Sequence, residues 1–334
     1  MAAPGYSYPA RGQCHQCPCR GDAVAVRKGA SLNVGAQRGV ALLVVLWACT
    51  LLAILLGGYA TVSRLEATQV RYQLAQTQVR YLAEAGVMRA IYESAQSLGA
   101  APGAGASWIA DGRLYTYRLD DTDIQIRIGD ETGKVDLNTA TPDILQNLFQ
   151  AAGVDAAAAV ALAANVIESR DSQRLNNQVY GQQRYKQAGL SHGPRYAEFV
   201  SLEDLQAVLG MTPTIYQKVE PAITLWSRRP QPAALFAPAL ALSTLPGMDM
   251  AKAQRFIVAR EAAAPHSPLL TLPNGTPVGS WRSGNVRTIY AMASTTDGTR
   301  SALQVTVRFE PLRPGQKKTG ALYTILRWQD GVER

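Results

Sequence analysis

The residues of this chain that could do chemistry are few and lie far apart. The segment CHQCPC, from Cys14 to Cys19, offers thiolates, but a structural zinc site needs four well-spaced ligands and His15 is confined between two of the cysteines. Translation from a later start, such as the codon of Val34, would leave this segment out of the protein. His192 and His266 lie in loops rich in proline and glycine. With no Ser–His–acid grouping and no phosphate loop in the sequence, we predict no catalytic residues, no metal site and no enzyme activity.

Peptide cleavage is a reaction that the chain could undergo as a substrate, at Gly39 and Val40. A secretory signal places its small residues after an apolar region of roughly 7–15 residues, so that the apolar part is removed. In the stretch QRGVALLVVLW, Gln37 to Trp47, Gly39 comes before the apolar run, which begins at Val40. A cut after Gly39, made from the cytoplasmic side, would keep the apolar helix and leave Val40 as the first residue. The alternative is a plain single-span anchor that is never cut.

The apolar run is long enough to cross a bilayer. The 25 residues between Arg38 and Arg64 carry no charge, and at 1.5 Å per residue they exceed a hydrocarbon core of roughly 30 Å. The leader before them has five basic residues and one acidic residue, so it supplies +4 of the chain's net charge of +8. This bias predicts a cytoplasmic N-terminus, a single pass through the membrane and a C-terminal domain on the outer side of that membrane. After Cys49 there is no cysteine, which excludes a disulfide framework for that domain.

Hydrophobic periodicity predicts an α+β fold. No proline occurs from Val40 to Ala101, so one helix should run to about Ser97, with an apolar stripe widened by Leu74, Tyr81 and Met88. Alternating residues then predict a hairpin that turns at DDTD, Asp120 to Asp123, and further antiparallel strands near the C-terminus. Between them lie helical patterns. We therefore expect a long transmembrane and amphipathic helix packed on an antiparallel sheet, with an inserted all-α domain.

The helical patterns contain repeated helix-hinge-helix units. SLEDLQAVLGMTPTIYQKVEPAITLW (Ser201 to Trp226) and LSTLPGMDMAKAQRFIVAREA (Leu242 to Ala262) each place a Gly-Met hinge between two helices. The predicted segments are the cytoplasmic leader (1–39), the transmembrane helix (40–63), the soluble half of the long helix (64–98), the first strands (108–135), the inserted helical domain (136–230), the second helix-hinge-helix unit and its connection (231–280) and the C-terminal strands (281–334).

Several motifs, taken in order, resemble one family. They are the Gly39 junction, YLAEAG, DETGKVDLNTA, YKQAGL, FVSLEDLQAVLGMTPTIYQKVEPAITLWS and YTILRW. Together they resemble the type II secretion minor pseudopilins of the K type, general secretion pathway protein K. The resemblance implies a pilin-like body, cleavage and methylation by a prepilin peptidase, assembly with I- and J-type minor pseudopilins on the inner-membrane secretion platform, and a place at the pseudopilus tip. Most pilin-like proteins carry Glu at the fifth mature position, whereas this chain has Val44 there.

The family often carries an acidic, calcium-binding stretch in the insertion, and here this chain departs from it. SRDSQRLNNQVYGQQRY, from Ser169 to Tyr185, is rich in amides. Calcium takes six to eight oxygen ligands, and Glu168 and Asp171 are the acidic candidates nearby. They supply too few carboxylates unless carbonyl oxygens compensate, so we expect a solvated loop and no cofactor.

Two alternative functions share parts of this pattern. A minor pilin of a type IV pilus or competence system would have the same Gly39 junction. A membrane-anchored helix-hairpin-helix protein would bind DNA phosphates through its hinge amides, assisted by Lys252 and Arg255. The hinge at Met211 to Pro213 is not basic and no patch of aromatic and basic residues accompanies the repeats, so we expect no nucleic acid partner.

Overall fold

The computed structural model describes residues 38–99, 108–119, 122–173, 178–263, 271–272, 275, 278, 283–310 and 322–331. The leader up to residue 37, with its cysteines, lies outside these ranges, as does His266. The chain divides into two compact units, Met1–Ala67 and Thr68–Arg334. Helix α1, Arg38–Gly99, contributes to both, and its two parts are described in turn.

The described part of the first unit is entirely helical. Every side chain from Val40 to Ala67 is exposed. Val40–Leu98 is the one helix in the described ranges that is long and apolar enough to cross a membrane. Its start and end confirm the prediction of one uninterrupted helix.

In the second unit, α1 packs on the sheet through small and β-branched residues. The buried face of α1 comprises Val79, Ala83, Gly86, Val87, Ala90, Ile91 and Ser94. A Cβ at Gly86 would lie 2.6 Å from Ile124 Cγ2, so glycine allows the helix to approach the sheet closely. The predicted stripe was too wide, because Leu74, Tyr81 and Met88 are exposed on another face of α1.

Five strands form an antiparallel sheet in the order β1-β2-β5-β6-β7. The strands are β1 Asp111–Leu119, β2 Thr122–Asp130, β5 Val286–Ser294, β6 Arg300–Phe309 and β7 Tyr323–Asp330. Strand β2 alternates as predicted, with Ile124, Ile126 and Ile128 fully buried beneath α1. It already begins at Thr122, so Asp123 belongs to the strand and the connection between β1 and β2 is shorter than predicted.

The second face of the sheet is also covered near its centre. Alternation in β6 predicts exposed Gln304 and Thr306, but both are buried. Thr306 Oγ1 lies 2.8 Å from Thr288 Oγ1, which donates to Glu131 Oε1 at 2.6 Å. Thr306 is therefore accommodated by partners that are distant in sequence, whereas the buried Gln304 Oε1 has no hydrogen-bond partner among the described residues.

The helical part of the fold is formed by the residues between β2 and β5 in the sequence. Its elements are β3 Val135–Asp136, α2 Pro142–Ala151, α3 Ala156–Arg170, α4 Gln178–Gln187, a 3-10 helix Leu202–Ala207, α5 Pro213–Val219, a 3-10 turn Glu220–Ala222, β4 Ile223–Thr224, α6 Ala239–Leu242 and α7 Met250–Ala262. Strands β3 and β4 pair in parallel. One hydrophobic core joins residues from Val135 to Phe256 and so includes both helix-hinge-helix units. The boundary between the predicted segments at 230 thus does not separate two cores, and the other segment boundaries stay predictions.

The helix ends follow their local sequence. Pro142 opens α2 after Thr141, and Ser201 and Asp204 form a capping box. Gly210 and Gly247 have φ of +89° and +76°, in the left-handed region that favours glycine, and they form the two predicted hinges.

Candidate functional site

The predicted processing site lies in the first turn of the apolar helix. Helix α1 begins at Arg38, so Gly39 and Val40 belong to its first turn. Val40 and Val44 are one helical turn apart on the same face, and their exposed fractions are 65% and 59%. An apolar side chain at Val44 cannot accept a proton or a hydrogen bond from an amine. Cleavage after Gly39 stays a prediction.

A large apolar surface surrounds this site on the helix. Leu42, Leu46, Trp47, Ile54 and Leu55 are each exposed by more than half, as are most of the large residues between them. Water would make such a surface costly, at about 25 cal/mol for each Å² of apolar area. The helix therefore requires lipid or other apolar helices around it.

A second apolar stripe continues along the part of α1 that belongs to the second unit. Leu74, Tyr81, Met88 and Tyr92 are exposed, and their spacings of seven, seven and four residues place them on one helix face. This exposed stripe lies beside the buried face formed by Val79, Ala83 and their neighbours. Seven-residue spacing is the pattern by which a helix packs against another helix. We define these four residues as the α1 stripe.

The motif DETGKVDLN joins the sheet to the helical part. Asp130 Oδ1 accepts from the Thr132 amide at 2.9 Å, and its Oδ2 accepts from the Gly284 amide at 2.7 Å. A Cβ at Gly133 would lie 2.3 Å from the carbonyl carbon of Phe236. Glycine is therefore the residue that lets the chain of the helical part approach this turn. The motif's residues hold the two parts of the fold together.

Two more residues of the same motif position loops of the helical part. Asp136 is fully buried, and its Oδ2 accepts from the Arg228 amide at 2.8 Å. Asn138 exchanges two hydrogen bonds with the main chain of Phe199, at 3.0 and 2.8 Å. These side chains are occupied by main-chain partners, which favours a structural role over a catalytic one.

Two arginines of the helical part, the buried Arg260 and the half-buried Arg170, donate to main-chain carbonyl oxygens, and the sequence did not predict either role. Arg260 on α7 is 2% exposed and donates to the carbonyl oxygens of Ala237 at 3.0 Å and Asp111 at 2.8 Å. Burial lowers the pKa of Arg260, and the nearby carboxylate of Asp111 partly offsets that. Arg170 donates to two carbonyl oxygens of the turn after β3. Nothing in their local sequence distinguishes these arginines from solvated ones.

The calcium candidates do not form a ligand set. Glu168 Oε2 accepts from Arg184 Nη1 at 2.8 Å, and Asp171 Oδ1 accepts from the amide of Gln173 at 3.0 Å. Over the described residues no group of three or more His, Cys, Asp or Glu side chains could hold a metal. Calcium prefers several carboxylates, so the residues of this segment that the structure describes do not fit it. The expectation of a solvated loop was wrong for the second half of the segment, because helix α4 begins at Gln178 and Tyr185 is buried in it.

In the hinge of the second helix-hinge-helix unit, the basic side chain of Lys252 binds groups of the hinge itself. Lys252 Nζ donates to Gly247 O at 2.9 Å and lies 3.3 Å from Asp249 Oδ2. Arg255 Nε donates to Ala251 O on its own helix at 3.4 Å. His192, one of the two loop histidines considered for catalysis, lies outside this hinge, and its Nε2 is 3.0 Å from Ala207 O. A lysine paired with an aspartate adds little positive charge to the hinge, which weighs against phosphate binding.

Comparisons with known proteins find one matching family model and similar solved structures. Residues 126–228 match the family model described as type II secretion system, protein K. A structural match covers 79% of this chain and 100% of the other at a TM-score of 0.51 and 15% identity, in the crystal structure of the GspK-GspI-GspJ complex from the enterotoxigenic Escherichia coli type 2 secretion system. At that identity the match shows the fold, an α+β fold with a helical insertion. No curated protein matches the chain. The family match lies on the second strand and most of the helical insertion, so this part of the chain is similar to type II secretion system protein K, and the likeness of fold extends beyond it.

Proposed function

We propose that this chain is the minor pseudopilin at the tip of a type II secretion pseudopilus, where it assembles with I- and J-type minor pseudopilins. The observation that carries the proposal is the match of the helical insertion, within residues 126–228, to protein K. The structurally similar chain was crystallised in a complex that contains GspI and GspJ. In this role the protein starts the filament and supports export of folded proteins across the outer membrane.

The α1 stripe supplies a surface for those partners. Its residues are exposed along the part of α1 that packs on the sheet through its other face. A helix face with apolar residues seven apart matches the helix-to-helix packing of a filament core. The residues before it, from 40 to 63, would lie in inner-membrane lipid during assembly, with the N-terminus cytoplasmic and the C-terminal domain periplasmic.

Val44 fits a position with no subunit ahead of it. In pilin-like filaments, a Glu at this position is thought to pair with the amine of the preceding subunit, and a buried charge needs such a partner. A subunit with Val44 has no carboxylate to neutralise, so it is stable where nothing precedes it. Its own N-terminal amine can still pair with the Glu of the next subunit.

Substitution of Val44 tests the tip position. V44E should let the protein enter the filament interior, so that crosslinking captures pseudopilin neighbours on both sides. V44L keeps an apolar side chain of similar size and serves as the matched control, with neighbours on one side only. Identical crosslinking patterns and identical secretion for V44E, V44L and wild type would show that Val44 does not set the position.

Intact mass tests the processing step separately. We expect the prepilin peptidase to remove residues 1–39 and to methylate the amine of Val40. Protein from membranes with the peptidase should start at N-methyl Val40, and protein from membranes without it should keep its leader. The same mass in both membranes would leave a plain membrane anchor.

A further inference from the structure

Glu168, one of the two acidic residues considered for calcium in the helical insertion, already has a cationic partner. Glu168 lies in the last turns of α3, and its side chain is 12% exposed. Arg184 extends from α4 and donates through Nη1 to Glu168 Oε2 at 2.8 Å. The other terminal nitrogen of the same guanidinium, Nη2, donates to Asn165 Oδ1, one turn earlier on α3. One side chain of α4 thus bridges two residues of α3.

The bridge continues to the hinge of the first helix-hinge-helix unit. Asn165 Nδ2 donates to Leu209 O at 2.8 Å. Tyr185, the residue after Arg184, is buried and accepts from the Leu209 amide at 3.0 Å. Both polar groups of the Leu209 main chain are therefore held by this network. Arg184 and Tyr185 fix α4 to α3 and to the hinge at the same time.

A guanidinium and a calcium ion solve the same electrostatic problem in different ways. Calcium gathers six to eight oxygens at 2.3–2.6 Å in a flexible shell. Arginine stays protonated at physiological pH, and its planar fork of donors joins two acceptors with a fixed geometry. Glu168 and Asn165 present their side-chain oxygens to such a fork. A divalent ion at the Glu168 carboxylate would also be repelled by the guanidinium that is bound there.

We infer that Arg184, bound to Glu168 and Asn165, takes the place of calcium in this chain and fastens α4 to α3, so that the insertion folds without a divalent cation. The side-chain oxygens of Glu168 and Asn165 are thus arranged for a guanidinium and not for a divalent cation. This conclusion stands apart from the tip position, because it concerns the stability of the insertion alone.

Hydrogen exchange of the full chain in detergent tests directly whether Arg184, and not calcium, stabilises α4. Peptides that cover α4, Gln178–Gln187, should exchange at the same rate with calcium chloride above the millimolar affinities of extracellular calcium modules and with a chelator. R184Q removes the charge and should speed exchange in α4 about fivefold, in calcium and in chelator alike. R184K keeps the charge but loses the fork, so its exchange rate should lie between those of wild type and R184Q.

A matched ion pair elsewhere in the chain provides the control. Arg89 pairs with Glu93 on α1 with side-chain exposures of 42% and 13%, close to the 48% and 12% of Arg184 and Glu168. R89Q should leave exchange in α4 unchanged, because Glu93 and the rings of Tyr92 and Tyr117 that Arg89 contacts lie on α1 and β1 and not on α4. Slower exchange of wild-type α4 in calcium would overturn the inference. So would an R184Q protein whose α4 exchanges no faster than that of R89Q.

Discussion

Gly133 is the position where a single methyl group should be most damaging to the junction between sheet and helical part. A Cβ there would lie 2.3 Å from the carbonyl carbon and oxygen of Phe236 and 2.6 Å from the nitrogen of Ala237. Carbon atoms in contact prefer separations of about 3.5–4.0 Å, so the main chain at Gly133 or at Phe236 must move by more than about 1 Å. The obstacle is main chain and not the end of a flexible side chain.

The surrounding hydrogen bonds resist that movement. The Ala233 amide donates to Thr132 O at 2.8 Å, and Arg260 holds Ala237 O at 3.0 Å. Overpacking typically costs about 1–3 kcal/mol, and a main-chain obstacle places G133A near the upper end, at about 3 kcal/mol. At about 2–4 °C for each kcal/mol, the melting temperature should fall by about 6–12 °C.

Thermal unfolding of the full chain in detergent, followed by near-ultraviolet circular dichroism, measures this loss. The matched control is G129A in strand β2, where the nearest atom to an added Cβ is Thr288 O at 3.9 Å. G129A should melt close to the wild type, because the contact is ordinary and alanine costs less entropy than glycine in a strand. A G133A protein that melts within about 2 °C of G129A would refute the close approach.

Two further substitutions test the packing of the helical part. R260M leaves three main-chain carbonyls without their charged donor and should lower the free energy of unfolding by about 3–5 kcal/mol. The control R255M, on the exposed side of α7, should shift the melting temperature by less than about 2 °C. Equal shifts in melting temperature for the two variants would show that Arg260 does not stabilise the insertion. Burial raises the pKa of Asp204, but hydrogen bonds from the Ser201 and Val200 amides and the charge of Arg195 outweigh it, so the pKa is lowered overall. Its stabilisation is complete above the ordinary carboxyl pKa of about 3.9 and is lost as the pH falls through the lowered value. The difference in melting temperature between wild type and D204N should therefore shrink below about pH 4, and a difference that stays constant down to the acid limit would contradict the assignment.

Local sequence patterns were sufficient where one face of an element is buried by its neighbours in the chain. The isoleucines of β2 alternate because α1 covers one side of the sheet, and the absence of proline was enough to predict the length of α1. The same patterns failed to distinguish the two apolar faces of α1. Periodicity finds an apolar stripe, but it does not show that Tyr81 and Met88 stay 64% and 44% exposed in the fold, with Tyr323 Oη donating to Met88 Sδ at 3.9 Å.

Long-range polar contacts could not be predicted from local patterns. Arg260 and Asp111 are separated by 149 positions, and Arg184 reaches residues 16 and 19 positions earlier. Whether an arginine is solvated or buried depends on which carbonyls the fold brings to it, and this information is absent from its neighbours. Gly133 belongs to the motif DETGKVDLNTA, but the motif does not explain why a glycine is needed there. The close approach of the Phe236 main chain, seen in the structure, explains it.

Co-purification tests the central claim most directly. The full chain, affinity-tagged and expressed in membranes with the prepilin peptidase and the I- and J-type pseudopilins of its own secretion system, should be recovered with both partners as a complex of one copy each. Native mass spectrometry of the detergent-solubilised complex would measure that composition. Recovery of the tagged chain without either partner, although all three proteins are processed and folded, would contradict its assignment as the minor pseudopilin that assembles at the tip.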